Sequence, residues 1–187
     1  HKKIGRGCIL CNDDPIDYAV KNDGSVLFYV AKTCITTKRF VSEYGKYIKE
    51  CIKKGKIEES KETIEQIADY IGGNTDFRKN GFSLMMRLLE FGVIIHHGSL
   101  PLYVRLLIEE YVKKGFCRLC FATSTLEQGV NMPFDVVVLG RLEGSKSLSV
   151  KNVIGRAGRS STDLKFDFGK VIVKKSRVGE FRRIMMT

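Results

Sequence analysis

The chain has 187 residues, 43% of them hydrophobic and 28% charged, the balance of a folded domain with a real core rather than of a disordered or fibrous segment. Its formal charge of +11 favours polyanionic partners, nucleic acid before an anionic membrane surface, against the plainer reading of surplus lysine that keeps a domain soluble. No apolar run approaches the roughly 18 residues of a membrane span, and no secretory leader pattern opens the sequence.

The first residue is His1 rather than Met, which points to a start inside a longer polypeptide. Residues 1–24 read as irregular, closing on the turn signal Asn22-Asp23-Gly24, and are expected to be a linker leading in from an upstream domain. SVLFYVA (25–31) is a short apolar run of strand formers, expected as a buried strand. KRFVSEYGKYIKECIKKG (38–55) carries Phe40, Tyr44, Tyr47, Ile48 and Cys51 at helical spacing, with Gly55 to end it. SKETIEQIADYIGG (60–73) is amphipathic, with Ile64, Ile67, Ala68 and Ile71 on one stripe, Ser60 as its expected cap and Gly72 as its end. GFSLMMRLLEFG (81–92) adds a short helix whose Met85 and Met86 belong to a core rather than to a cofactor site.

GVIIHHGS (92–99) predicts a second strand and its loop. PLYVRLLIEEYVKKG (101–115) predicts a helix burying Val104, Leu107, Ile108 and Tyr111, with Glu109–Lys113 and Glu110–Lys114 as favourable pairs one turn apart. FCRLCFAT (116–123) and FDVVVLG (134–140) are further strands, and SVKNVIGRAGR (149–159) a helix with Ser149 as its cap. GKVIVKK (169–175) is the last strand. Buried strands alternating with amphipathic helices predict an α/β fold: a mainly parallel sheet covered on both faces, with a helical excursion at 45–91 between the first two strands.

Six cysteines include two C-x-x-C pairs, Cys8/Cys11 and Cys117/Cys120, which invites a four-thiolate zinc site. The second pair lies in a strand, where residues three apart point to opposite faces, so cysteine as a small buried hydrophobe is the better reading. Scattered cysteines also fit an intracellular, reducing compartment.

In parallel α/β sheets ligands bind beyond the carboxyl ends of the strands. The segments there are HHGS, TSTLEQGVN and GRLEGSKS, with GRAGR following shortly afterwards. His96 and His97 stand adjacent, and adjacent side chains at a strand end diverge, so a phosphate contact or a fold hydrogen bond fits them better than a metal. Arg156 and Arg159 are three apart, which on a helix is one face, with Ala157 and Gly158 leaving room for close approach. Two guanidinium forks there suit a triphosphate; a pair of plain surface arginines remains the alternative. The chain contains no G-x-x-x-x-G-K-[ST] and no D-E-x-[DH], so a nucleotide reached by these arginines would be held by a different domain.

Taken in order, these motifs resemble the second, C-terminal RecA-like domain of a superfamily 2 helicase of the Ski-like DExH-box branch. SVLFYVAKT resembles motif IV, and GVIIHHGSLPLYVRLLIEEYVKKG the family's histidine-glycine loop and helix, with Arg105 and Glu109 in place. FATSTLEQGVNMP resembles motif V, NVIGRAGRS motif VI, and DFGKVIV the strand leading out; together they span roughly residues 25–175.

The resemblance implies a RecA-like three-layer α/β/α domain over 25–187, with 45–91 as a helical insertion and 176–187 as an exit segment. It implies ATP with Mg2+, both held mainly by the first RecA-like domain of the same polypeptide. DNA or RNA would be the partner, with no membrane. Arg156 and Arg159 would be arginine fingers. Gly129, Asn131 and Asn152 would approach the nucleotide, and Thr33, His97, Gly98 and Thr123 the strand backbone. Two departures stand out: Asn152 where motif VI opens with glutamine, and Glu127-Gln128 where motif V has a small or apolar pair. The alternative is a helicase-like nucleic-acid-binding or protein-interaction module without ATPase activity, with 45–91 as its docking surface.

Overall fold

Four tetrapeptides, VLFY, VIIH, LCFA and VVVL, are buried at every position. That is the mark of parallel strands covered on both faces. The computed structural model describes residues 2–4, 8–10, 13–71, 83–96, 98, 100–123, 132–142, 147–157 and 169–187. The strands are β3 (Val26–Tyr29), β4 (Val93–His96), β5 (Leu119–Ala122), β6 (Val136–Leu139) and β7 (Lys170–Val173). They form one sheet of order β4-β5-β3-β6-β7 in which every pairing is parallel. The RecA-like α/β reading therefore holds. A separate antiparallel hairpin joins β1 (Lys2–Ile4) to β2 (Cys8–Leu10).

Register sets which residues share a face. Ile95, Phe121, Phe28, Val138 and Ile172 lie side by side in one row across the sheet. Phe28 stacks on Phe121 at 4.8 Å between ring centroids, and Tyr44 and Phe40 close over them at 4.5 Å and 4.9 Å. Beside this aromatic layer the helices depart from expectation. The segment read as one helix from 38 to 55 is two, α3 (Arg39–Glu43) and α4 (Gly45–Lys54), pivoting at Tyr44 (φ −117°, ψ 17°). A shorter helix, α2 (Lys32–Thr36), precedes them.

The first 24 residues are not wholly irregular. Residues Pro15–Lys21 form helix α1, which buries Ile16, Ala19 and Val20. Asp14 caps it, accepting from the backbone N–H groups of Ile16 and Asp17 at 3.1 Å each, and proline follows at the first helical position, where its missing N–H costs nothing.

Helix α5 (Lys61–Ile71) packs on α7 (Leu102–Lys113), and α6 (Ser83–Leu89) lies against β4. Ser60 does not cap α5 as expected: it ends a 3-10 turn and its hydroxyl donates to the Ile57 carbonyl at 2.7 Å. Met85 and Met86 are buried in the core. The guanidinium of Arg118 gathers three carbonyls, Gly55 at 2.7 Å and Cys51 and Phe91 at 3.1 Å, so it ties the end of α4 to the approach to β4. Cys51, Cys117 and Cys120 are buried thiols. Burial pushes Cys51 up to about 11 and raises Cys117 and Cys120 further. Cys11 lies outside the described residues, as do the side-chain surroundings of Cys8. Among the described residues no helix is long and apolar enough to cross a membrane.

Candidate nucleic-acid and nucleotide interface

At the carboxyl rim of the sheet, residues His96, Ala122, Tyr29, Leu139 and Val173 end their strands in register. Three of the expected strand contacts sit just beyond this row. Thr123 follows β5; its N–H donates to the His96 carbonyl at 3.3 Å, which joins the ends of β4 and β5. Thr123 is only 3% exposed, so it forms the floor of the rim rather than its surface. Gly98, two residues past β4, is exposed in a turn. Thr33, on α2 beyond β3, is exposed, and its carbonyl accepts from the Thr37 hydroxyl at 2.6 Å. His97 lies outside the described residues. His96 is fully buried on β4, a place in the core that adjacency of two histidines did not reveal.

Motif VI is elsewhere. Helix α8 runs Ser147–Ile154, beginning two residues before Ser149, which is buried inside it and is not its cap. Arg156 lies past the end of α8 and not on it. Its N–H donates to the Val153 carbonyl at 3.1 Å, and Ala157 donates to Ile154 at 3.0 Å. The Arg156 carbonyl then accepts from the Phe134 N–H at 3.0 Å, and Ala157 forms a parallel bridge with Phe134. Phe134 stands two residues before β6, so this segment abuts the amino end of the sheet. Residues 155–157 of GRAGR therefore lie at the amino end of the sheet and not at the carboxyl rim with the segments that precede them. The reason is connectivity: α8 links two parallel strands, so it must carry the chain from the carboxyl end of β6 back to the amino end of β7.

The amino rim is also fastened by Asp135. Its carboxylate accepts from the Ser25 N–H at 2.8 Å and the Ser25 hydroxyl at 3.2 Å, and its carbonyl accepts from Lys170 at 3.0 Å. Starts of β3, β6 and β7 are thus locked together next to Arg156. At about 3.3 Å per residue, the five-residue step from Phe134 to Leu139 separates the two rims by roughly 17 Å. Residues 124–131 connect Thr123 at one rim to Met132 near the other.

Asn152 is exposed on α8, and Arg156 is partly buried. Gly129, Asn131 and Arg159 lie outside the described residues, as do Glu127 and Gln128. Arg105 is half-buried on α7, and Glu109 pairs with Lys113 at 3.1 Å. Among the described residues no group of three His, Cys, Asp or Glu side chains is placed to hold a metal ion.

Comparison with known proteins identifies the family. The family model "Helicase conserved C-terminal domain" matches residues 45–161. The Hachiman protein HamB of Bacillus cereus is 34% identical over 56% of this chain and 10% of its own length. The ATP-dependent DNA helicase Hel308 of Pyrococcus horikoshii is 28% identical over 84% of this chain and 21% of its own. The antiviral helicase SKI2 of Saccharomyces cerevisiae is 37% identical over 46% of this chain and 7% of its own. The chain spans about a fifth of Hel308 and a tenth or less of the other two. It belongs to the helicase conserved C-terminal domain family, as the C-terminal, RecA-like domain of a superfamily 2 helicase.

Proposed function

We propose that this domain is the second of two RecA-like halves of an ATP-dependent nucleic-acid helicase or translocase. It serves two ligands from two rims. At the amino rim Arg156, with Arg159 beyond it, is an arginine finger reaching ATP held by the first half; Gly129, Asn131 and Asn152 approach the same nucleotide. At the carboxyl rim Thr33, His97 and Gly98 contact the backbone of a DNA or RNA strand, over the floor that Thr123 forms. Mg2+ would be carried by the first half together with ATP. Residues 25–187 are the domain proper, 45–91 its helical insertion, 1–24 the approach from the first half and 176–187 the exit.

The observation that carries this reading is the tie of Arg156 and Ala157 to Phe134. It supports the reading because it holds the Arg156 segment at the amino end of the sheet, away from the carboxyl rim. In phosphoryl transfer, negative charge spreads over the γ-phosphate oxygens, and an arginine supplied by a second body raises turnover by about 10³–10⁵-fold. That gain exists only while the two halves are closed. A strand laid across both halves favours closure, and hydrolysis removes the phosphate that the fingers grip, so ATP binding becomes a change of hold on the strand. The basic surplus supplies sequence-independent phosphate attraction.

The test is Arg159→Ala in the full-length polypeptide: strand-stimulated ATP hydrolysis should fall by about 10³-fold or more while strand affinity stays close to wild type. Unchanged hydrolysis overturns the finger assignment. The isolated domain should hydrolyse ATP negligibly, since it lacks the phosphate loop.

A further inference from the structure

One face of the molecule contradicts the charge of the whole. Residues 57–71, the 3-10 turn and α5, carry Glu58, Glu59, Glu62, Glu65 and Asp69 against the single cation Lys61. All six side chains are exposed. Glu62, Glu65 and Asp69 are spaced three and four apart, so they line one stripe of α5. Beside that stripe lies an unusual concentration of exposed apolar surface. Tyr70 of α5 and Leu102, Tyr103 and Leu106 of α7 are each between 48% and 64% exposed. The Tyr70 and Tyr103 rings meet at 4.9 Å, so the two helices present one continuous patch. Leu102 and Leu106 extend it one turn along α7. Single exposed leucines are ordinary; two aromatic rings and two leucines side by side, rimmed by carboxylates, mark a contact surface.

We infer that this face docks a partner polypeptide whose binding segment is an amphipathic helix, apolar on one side and flanked by lysine or arginine. The inference goes beyond the helicase reading and does not depend on it. Charge complementarity selects the occupant. Five carboxylates repel a nucleic-acid strand, so the patch is not an extension of the strand-facing rim. They also oppose a second copy of the same face, because a two-fold contact would set like charges against each other. Tyrosine and leucine give anchors that a groove-seeking helix buries, and the acidic rim orients it and speeds encounter.

The test uses the full-length protein and a fluorescent 18-residue model peptide of leucine and lysine in a helical amphipathic pattern. Controls are a scrambled peptide of equal composition without an apolar face, and a single-stranded oligonucleotide as competitor. The patterned peptide should bind, and at least tenfold more tightly than the scrambled one. Leu102→Asp/Leu106→Asp should weaken it tenfold or more, and Glu62→Lys/Glu65→Lys/Asp69→Lys should do the same while abolishing its salt sensitivity. If the leucine variant melts well below wild type, Tyr103→Ser, which adds no charge, replaces it with the same expectation. Absence of binding, equal binding of the scrambled peptide, or displacement by the oligonucleotide overturns the proposal. So does a concentration-dependent dimer lost in the leucine variant.

Discussion

The backbone N–H of Phe134 donates to the carbonyl of Arg156 across 3.0 Å, and neither side chain takes part. A segment anchored through its main chain keeps its position when a side chain on it is replaced. Arg156→Ala therefore isolates the guanidinium. We expect strand-stimulated ATP turnover in the full-length polypeptide to drop by about 10³-fold, with strand affinity changed less than about threefold. Arg156→Lys should resemble the alanine variant, because a point charge on a flexible stem does not reproduce a planar fork. Steady-state hydrolysis beside fluorescence anisotropy of a labelled strand measures both; lysine behaving as wild type would sink the fork argument.

The opposite rim makes a different demand. Thr33 is exposed on α2 and offers a hydroxyl, not a charge. Losing one hydroxyl hydrogen bond to a charged phosphate costs about 1.5–3 kcal/mol, roughly a 10- to 150-fold weaker strand affinity. No counterion is released through a hydroxyl, so in Thr33→Ala the slope of log affinity against log salt should equal that of wild type. A shallower slope with Thr33→Ala would show that the residue acts through neighbouring cations instead.

The separation of these rims shows what sequence does and does not display. All five sheet strands lie inside the runs expected from their apolar content; four of them are buried on both faces, where a parallel strand has few polar positions to hide. Helices α5 and α7 follow their stripes for the same reason. Helix α1 was missed although its signal, Asp14 followed by Pro15, is a capping residue before a first-turn proline. The break at Tyr44 was not legible, because Phe40 and Tyr44 fit one helical stripe whether or not the helix is continuous. For the candidate site, motif spacing singled out Arg156 and put it on a helix; the structure places it past the end of α8, at the amino end of the sheet. The return path of α8 between two parallel strands was the available clue. Burial of Thr123 and His96 depends on packing from neighbouring strands, which no local pattern encodes.

Asp14 joins α1 to α4 with one carboxylate. One oxygen caps α1; the other accepts from the Tyr47 hydroxyl at 2.8 Å and from Lys46 at 3.1 Å. Burial alone would raise its pKa, but the hydrogen bonds from Asp17, Tyr47 and Lys46 outweigh it and hold the group below its ordinary 3.8. A depressed carboxyl pKa stabilises the fold above the unfolded value, and that contribution is lost as pH falls through the folded one. Asp14→Asn keeps a good cap without the charge, so its melting temperature should converge on wild type as pH drops below about 4. Asp14→Ala loses the cap as well, at about 1 kcal/mol, or about 2–4 °C at neutral pH. Thermal melts from pH 3 to 7 test this; a constant gap between Asp14→Asn and wild type across that range would remove the charge from the account.

Gly92 opens β4, the strand that ends at the His97-Gly98 loop. Its φ is +78°, and a Cβ there would stand 2.8 Å from the Phe116 carbonyl oxygen and 3.0 Å from both Arg118 Cγ and Ile57 Cδ1. Its own carbonyl accepts from Arg118 at 2.8 Å and Leu119 at 3.1 Å, so the backbone cannot retreat without breaking the start of the β4–β5 ladder. Gly115 has a similar φ of +81° with nothing within 4 Å of its would-be Cβ. The two alanine variants thus separate conformation from contact. Gly115→Ala should cost about 1–2 kcal/mol, the left-handed penalty alone. Gly92→Ala adds a backbone collision and should cost about 3 kcal/mol or more, lowering the melting temperature by at least about 6 °C. Urea denaturation of both variants decides it. Equal losses would mean that the Phe116 carbonyl gives way, and that the entry to β4 is held by φ preference rather than by packing.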